Sequence, residues 1–505
     1  MPVAEMNKAV PEVTSSARGA MSGERFIESL RDGREVWYDG ERVDVTTHPA
    51  FQGTIHELAR LYDLQFTEEY RDIMTVPSPE TGNRISWSYL LPRSLSDLRD
   101  KRRNSEAWFK ESFGQIGRAP DFMSNVCVGL YNFRGELEKN DPRFGKHAVD
   151  YYRYCAENDL ALTHALGDPQ IDRSSNVVDE PDLGLRIVRE TEDGIVVRGA
   201  KQLATLAPIS NEVLSYLSAT FALRGAREFV LWFALPMNTP GLKTLCRHSL
   251  EWTADGHAHP FASRYDEQDS MLFFDDVLIP WERVFLLYDG PLALRGLGQI
   301  TPWSSYSSLC RLWYRWRTFV GVTTMIAESI GVDGFREIRD LMGEQIMYTE
   351  VLRLGLAGME ANGSMTPGGL FAPAPGQSLG IFGAQFSARV QEILRKIGAS
   401  GIIMQPSERD LANSELRPFL QRYMRGRNIG VDEKSRLFRL AWDLAADGFG
   451  MRQEIYEYWH RGDITRNKTN LYLGYDRGEI MSQIRELIGS PLAVRRSNGM
   501  VASDD

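Results

Sequence analysis

Leu185-Arg186-Ile187-Val188-Arg189-Glu190, then Thr191-Glu192-Asp193, then Gly194-Ile195-Val196-Val197-Arg198-Gly199, is where this chain changes texture. Two alternating β-branched runs flank a polar tetrapeptide that ends in glycine, which predicts a β-hairpin. The same texture continues. Phe229 to Leu235 reads as an apolar strand ended by Pro236, and Met271–Phe274 and Val277–Trp281 read as two more. Short strands between Gly/Pro turns predict an antiparallel sandwich or barrel over residues 160–290.

On either side the apolar period is helical. A helix is predicted from Ser22 through Phe26 and Leu30, and others over His56–Phe66 and Ser94–Phe113. Arg34 to Glu41 reads instead as two short strands around an Asp39-Gly40 turn. Residues 1–22 lack periodicity and read as a lead-in. Beyond Ser304 four long helices are predicted: Leu309–Ile330, Gly334–Asn362, Ala384–Gly401 and Lys434–Arg461. A Pro-bearing loop, Asn362–Gly380, interrupts them, and the set suggests a bundle with a polar tail over 496–505. The expected division is a mostly helical domain over 1–159, a β domain over 160–290 and a helical bundle over 291–505. This α+β order also describes the acyl-CoA dehydrogenase architecture.

Bulk properties narrow the function. The 505 residues suffice for two or three cores, and 43% hydrophobic with 25% charged residues is ordinary globular composition. A net charge of −10 argues against general nucleic-acid binding, which needs a basic face. Cys127, Cys155, Cys246 and Cys310 are isolated, which suggests a reducing, cytoplasmic setting rather than a disulfide scaffold. No signal-like or membrane-spanning apolar run is seen.

Familiar chemistry motifs are missing: no phosphate-binding P-loop, no dinucleotide Gly fingerprint after a strand, no His-Glu-x-x-His, no nucleophile elbow. His257 and His259 share a Gly/Pro loop and read as a solvated turn, so no metal is expected. Three polar-studded segments remain. They are Ser112-Phe113-Gly114-Gln115-Ile116-Gly117-Arg118-Ala119-Pro120-Asp121-Phe122, then Leu162-Thr163-His164-Ala165-Leu166 with Asp168 to Arg173, then Gly199-Ala200-Lys201-Gln202-Leu203-Ala204-Thr205. An arginine, a histidine and a threonine converging on one pocket could bind an oxyanion beside a planar cofactor.

In this order and spacing the segments resemble the oxygenase component of 4-hydroxyphenylacetate 3-monooxygenase, the family of two-component FADH2-dependent aromatic hydroxylases. Arg25–Asp32, Val36–Val43, Ser263–Glu267, Val277–Glu282, Tyr423–Gly426 and Asp447–Gly450 are also similar to that family, so the resemblance spans about residues 24–490. It implies FAD, used as FADH2 from a separate flavin reductase. It further implies O2 activation through a C4a-hydroperoxyflavin and hydroxylation ortho to a phenol. A homotetramer is implied too.

By the same resemblance Arg118 and His164 would be catalytic and touch the phenol, with Phe122, Ala219 and Thr220 completing the substrate contacts. Thr205 would be catalytic and sit at the reactive edge of the flavin. Gln170, Ile171, Asp172, Arg173, Gly448, Phe449, Gly450, Met451 and Arg452 would hold the cofactor. Phe122 stands where enzymes acting on 4-hydroxyphenylacetate carry tyrosine. A different phenol is therefore expected, a tyrosine derivative or a biosynthetic intermediate, free or carrier-bound.

Three rivals make different demands. A dehydratase resembling 4-hydroxybutyryl-CoA dehydratase needs clustered cysteines for an iron–sulfur centre. A flavin-dependent acyl-CoA dehydrogenase-like oxidoreductase needs a catalytic carboxylate in the bundle. A non-catalytic relative would not retain Arg118, His164, Gln170, Arg173 and Thr205.

Overall fold

The computed structural model describes residues 18–172, 174, 180–181, 184–216, 226–250 and 255–489. The strands, in chain order, are β1 (Glu35–Tyr38), β2 (Glu41–Val43), β3 (Thr75–Pro77), β4 (Arg84–Ser86), β5 (Leu162–His164) and β6 (Arg186–Glu190). They continue with β7 (Gly194–Thr205), β8 (Glu212–Ser215), β9 (Leu231–Pro236), β10 (Leu242–Cys246), β11 (Asp269–Pro280), β12 (Val284–Leu287) and a short pair between late helices, β13 (Ser364–Met365) and β14 (Phe371–Ala372).

Helices otherwise fill the chain before β5, the longest being Pro120–Asn140, and they fill it again from Gly290 onward. Two sheets lie between, a six-stranded one ordered β2-β1-β10-β11-β7-β6 and a four-stranded one ordered β12-β9-β8-β5. They face each other, Phe233 of β9 meeting Phe274 of β11 edge to face at 5.9 Å. The fold is α+β and acyl-CoA dehydrogenase-like.

Most of the expected elements are present. The hairpin that marks the texture change is β6–β7, paired antiparallel with Glu190 opposite Ile195. The Asp39-Gly40 turn closes β1–β2 with both residues at positive φ, +49° and +83°. That is the twist a two-residue hairpin requires.

Three details differ from the sequence reading. The sheets are mixed rather than antiparallel throughout: β1 runs parallel to β10 and β5 parallel to β8. Pairing between residues as distant as Glu35 and Lys243 leaves no local trace, and it brings a hairpin of the N-terminal segment into the central sheet.

Second, the two strands expected over 271–281 are one strand, β11. A bulge at Asp275-Asp276 shifts the register between Phe274 and Val277, with Asp276 at φ +52°. Arg198 holds the bulge by a fork to the Asp276 carboxylate, both contacts at 2.8 Å. Third, the helix expected over Lys434–Arg461 is two helices, Val431–Ala445 and Gly448–Trp459. Asp447 breaks it by capping the second, its carboxylate accepting from the N–H groups of Phe449 at 3.0 Å and Gly450 at 3.3 Å.

The Ser112–Phe122 segment is a tight loop leading into a helix. Phe113 and Gly114 both have positive φ, +55° and +65°. Ala119, before Pro120, is extended (ψ 156°), and Pro120 takes the first turn of the Pro120–Asn140 helix, where its missing N–H costs nothing. Arg118 is thereby presented just ahead of a helix start. The loop lies on the Pro302–Ser329 helix: a Cβ on Gly114 would stand 2.4 Å from the Arg315 backbone nitrogen.

Gly114→Ala therefore combines a left-handed backbone with a backbone clash. The expected loss is roughly 2 kcal/mol or more, read from a denaturation midpoint. Gly135→Ala, on an exposed helical face with nothing within 4 Å of the added Cβ, is the control and should stabilise slightly. Equal effects would overturn this account of the loop.

Candidate active site

A cavity of about 1280 Å³ opens between the β sheets and the C-terminal helices. Arg118, Phe122, His164, Ile171, Asp172, Thr205, Gly448, Met451 and Arg452 line it, so three separate sequence segments do converge. The Gly448–Trp459 helix explains which of its residues arrive. Gly448, Met451, Arg452 and Ile455 recur at helical spacing and face the cavity.

Phe449 and Gly450 face away. Phe449 is buried against Phe261, at 6.4 Å between rings, and a Cβ on Gly450 would press on the Leu444 backbone at 2.8 Å. Gln170 is exposed and is not part of the wall. Arg173, Ala219 and Thr220 lie outside the described residues.

Strand pairing places the histidine. His164 ends β5 opposite Leu214 of β8, and Tyr216 follows two residues later. The Tyr216 hydroxyl lies 3.0 Å from His164 Nδ1. Arg118 Nε donates to His164 Nε2 at 3.2 Å. Since an arginine N–H can only donate, Nε2 is the acceptor and the ring carries its proton on Nδ1.

Burial, with the nearby Arg118 charge, holds the His164 pKa well below its usual 6.5. The imidazole is neutral. Burial likewise raises the Tyr216 phenol, so it stays protonated with its O–H left to donate.

Arg118 is 9% exposed. Its guanidinium sits 4.1 Å above the Phe122 ring and bonds the Tyr456 hydroxyl. Phe122 in turn meets His164 edge to face at 5.5 Å. Among the described residues no carboxylate pairs with the Arg118 side chain. A desolvated cation of this kind stands ready for an anionic ligand.

Two other cavity arginines, Arg247 and Arg452, are already neutralised. Arg452 donates to Asp269 at 2.5 and 2.8 Å and to Glu267 at 2.9 Å. Arg247 reaches Asp266 at 2.5 Å and Asp269 at 3.1 Å. Burial alone would raise the Asp269 pKa, but these two arginines outweigh it and hold the carboxyl well below its ordinary range. Thr205 donates its hydroxyl proton to Asp269 at 2.9 Å and so keeps lone pairs to offer a ligand N–H.

Gly117 is required here. A Cβ would meet the Tyr456 ring at 2.7 Å and Glu267 at 3.0 Å. Apolar wall is also available: Ile171 and Leu203 are 47% and 64% exposed on the cavity, ready to be covered by a planar ring. These features fit a flavin.

Tyr216, Tyr456, Glu267 and Asp269 were not singled out as site residues from sequence. Arg452, Tyr456 and His460 recur every four residues, and that signal was available. Glu267 and Asp269 belong to a quoted segment or abut it, but their partners are far away in the chain.

His259 is not a solvated turn. Its Nδ1 lies 3.0 Å from Asp447 and 3.7 Å from the buried Asp443. These three groups tie the 255–261 loop to the capped start of the Gly448–Trp459 helix.

An acyl-CoA dehydrogenase-like fold whose cavity joins a neutral histidine to an arginine with no carboxylate partner among the described residues is compatible with a flavin-dependent oxidoreductase. The 4-hydroxyphenylacetate 3-hydroxylase N-terminal family model matches residues 22–286 and the C-terminal model residues 298–489. The chain belongs to this family, as the oxygenase component of an FAD-dependent aromatic monooxygenase system.

Relatives include a 4-hydroxyphenylacetate 3-monooxygenase oxygenase component of Thermus thermophilus, 36% identical over 94% of this chain and 98% of its own. A 4-nitrophenol 2-monooxygenase oxygenase component of Rhodococcus sp is 34% identical over 88% and 86%. In Streptomyces globisporus, a monooxygenase of a carrier-protein-bound 3-amino-3-(3-chloro-4-hydroxyphenyl)propanoyl group is 31% identical over 94% and 91%.

A 4-hydroxyphenylacetate 3-monooxygenase oxygenase component complexed with FAD superposes with a TM-score of 0.88 at 35% identity, covering 93% of this chain and 98% of that one. A 4-hydroxybutyryl-CoA dehydratase from N. maritimus shares the fold, with a TM-score of 0.83 at 20% identity over 94% and 96%.

The two buried histidines of the cavity, His164 and His460, both have pKa values held well below 6.5, by burial first and by neighbouring arginines. On acidification below about 6.5 the unfolded chain takes up these protons before the folded one does. Their contribution to stability is therefore complete above that pH and lost as pH falls. The unfolding midpoint should drop between about pH 7 and pH 5, and the drop should be shallower in His164→Gln. An unchanged slope would overturn the assignment of His164 as a buried neutral imidazole.

Proposed function

We propose that the chain hydroxylates a phenol ortho to its hydroxyl group, with Arg118 and His164 at the phenol oxygen. One observation carries this: the buried guanidinium of Arg118 has no carboxylate among the described residues and bonds a neutral histidine. Bound in reduced form, FAD supplies the electrons and the site of O2 activation. The protein's tasks are to bind, orient and keep water out.

Arg118 stabilises phenolate character, which raises electron density at the ortho carbon. His164 Nε2 is an acceptor, so a phenol O–H that displaces Arg118 Nε meets a lone pair. Proton movement at that atom is then possible, with Tyr216 fixing the ring through Nδ1. Phe122 and Thr205 set the two sides of the ligand space: Phe122 backs the guanidinium, and Thr205 offers an oxygen lone pair suited to an N–H of the reduced flavin. Ile171, Asp172, Gly448, Met451 and Arg452 flank the same space, and Arg173, Ala219 and Thr220 complete the proposed contacts by resemblance; Gln170, Phe449 and Gly450, which the resemblance also named, lie off the cavity wall.

The substrate is a phenol other than 4-hydroxyphenylacetate, free or carrier-bound, in line with the range of phenols named for the relatives. A separate flavin reductase supplies the reduced cofactor. The cytoplasm suits the four free, buried cysteines.

We also propose the three-part division at residues 159 and 290 and a homotetramer. The Gly478–Leu487 helix buries no residue in the single chain, yet Ile480, Ile484 and Leu487 follow one another at helical spacing. A second copy would cover that stripe.

Arg118→Ala should lower hydroxylation, followed as catechol formed from supplied reduced FAD, roughly 10–100-fold, the worth of one charged hydrogen bond of about 1.5–3 kcal/mol. Unchanged product formation sinks the role. Phe122→Tyr adds a phenol hydroxyl beside His164 and should raise the relative rate on 4-hydroxyphenylacetate. No change in substrate preference would reject Phe122 as a determinant.

A further inference from the structure

The cavity has a second arginine without a carboxylate partner. Arg461 follows the Gly448–Trp459 helix and stands in the cavity wall. One of its nitrogens donates to Ser308 Oγ at 2.8 Å, and its buried Nε has no partner. Among the described residues no carboxylate forms an ion pair with it. The acid whose charge acts on it, Glu457, is bonded to Arg311 at 2.5 Å.

The neighbours have defined polarity. His460 Nδ1 lies 2.8 Å from the Tyr456 carbonyl, which can only accept, so the ring proton is on Nδ1. His460 Nε2 is then the acceptor for the Ser308 hydroxyl, at 3.2 Å. Ser308 therefore spends its proton on His460 and its lone pair on Arg461. Neither residue removes the arginine's charge, and the rest of its donor fork is left for something in the cavity.

Gly380 leaves the space for this side chain: a Cβ there would stand 3.1 Å from Arg461 Cδ. Burial, only partly offset by Glu457 and joined by the charges of Arg311 and Arg118, lowers the Arg461 pKa to about 10. Two like charges on one cavity with no counter-charge of their own are relieved by bound anions.

We propose that Arg461, braced by Ser308, is a second oxyanion-binding subsite of the cavity, holding a phosphate or carboxylate group of a ligand whose ring is held near Arg118. The group is either the diphosphate of the dinucleotide or an acidic group on the phenol. The inference rests on the flavin-and-phenol reading of the cavity and assigns a residue that this reading does not use. Arg461 acts here on binding, not on the reacting atoms.

The test uses the full chain and Arg461→Gln. FAD, FMN and riboflavin are titrated by flavin fluorescence, and 4-hydroxyphenylacetate is compared with uncharged 4-methylphenol by calorimetry. At least one charged ligand should bind roughly tenfold or more weakly, with its uncharged counterpart unaffected.

Loss for FAD and FMN but not riboflavin identifies the cofactor phosphate. Loss for the carboxylate phenol but not 4-methylphenol identifies an acidic substrate group. Arg461→Lys keeps the charge and should retain part of the affinity; it also serves if the glutamine variant does not fold. Unchanged binding of every charged ligand overturns the subsite, as does equal weakening of charged and uncharged ligands, which would mark a packing role. Failure of the unaltered protein to bind any flavin would instead sink the underlying functional reading.

Discussion

The site depends on two buried carboxylates, Glu267 and Asp269, 1% and 8% exposed. Charges this deep must be paired, because removing them from water costs several kcal/mol each. Their partners come from every part of the chain that builds the cavity. Glu267 accepts the Arg118 backbone N–H at 2.6 Å and Arg452 at 2.9 Å. Asp269 accepts Arg452, Arg247 and the Thr205 hydroxyl. One pair of acids at the start of β11 thus fixes the Gly117-Arg118 loop, the end of β7 and the Gly448–Trp459 helix to one another. The same pair sorts the arginines: Arg247 and Arg452 are used up in structure, and Arg118 is spared because Glu267 takes only its main-chain N–H.

Those couplings explain what could be read in advance. The helix and strand textures were legible because each is a local period. Where a polar pair interrupts a strand without ending it, as at Asp275-Asp276, a break was read and a bulge exists. Where the helical period runs on in phase past a cap, as at Asp447, continuity was read and a break exists. The parallel pairings of β1 with β10 and of β5 with β8 join distant segments and had no local mark. In the site, Arg118, His164 and Thr205 stand in recognisable segments. Tyr456, which bonds Arg118 from 338 residues away, has meaning only once the helix is docked.

The five consecutive positions from Gly448 show the same limit at finer grain. A segment can be assigned to a cofactor by resemblance, but an α-helix turns 100° per residue and presents only some of it. Gly448, Met451 and Arg452 reach the cavity. Phe449 serves the core, and Gly450 lets the helix fold back on its predecessor. Arg452, for its part, meets the carboxylates of β11.

The electrostatics of the cavity follow from these assignments. His164 and His460 are both neutral, and each has its tautomer fixed by a group that can only donate or only accept. Neither contributes charge near neutral pH, and Tyr216 and Tyr456 remain protonated because burial raises both phenols. Of the acids of the wall, Asp269 is spent on Arg247 and Arg452, and Asp168 on Lys201. Among the buried groups of the wall, what remains is positive charge on Arg118 and Arg461, held on groups that do not titrate in the neutral range. A cavity with that balance favours ligands that bring negative charge, and it favours them equally across neutral pH. A phenolate meets that condition, and so does a flavin dinucleotide. Selecting the phenolate form of a substrate is then the work of a permanent cation in a desolvated pocket rather than of a titrating base, and the neutral imidazole beside it is left free to accept a proton that the cation has already made easier to remove.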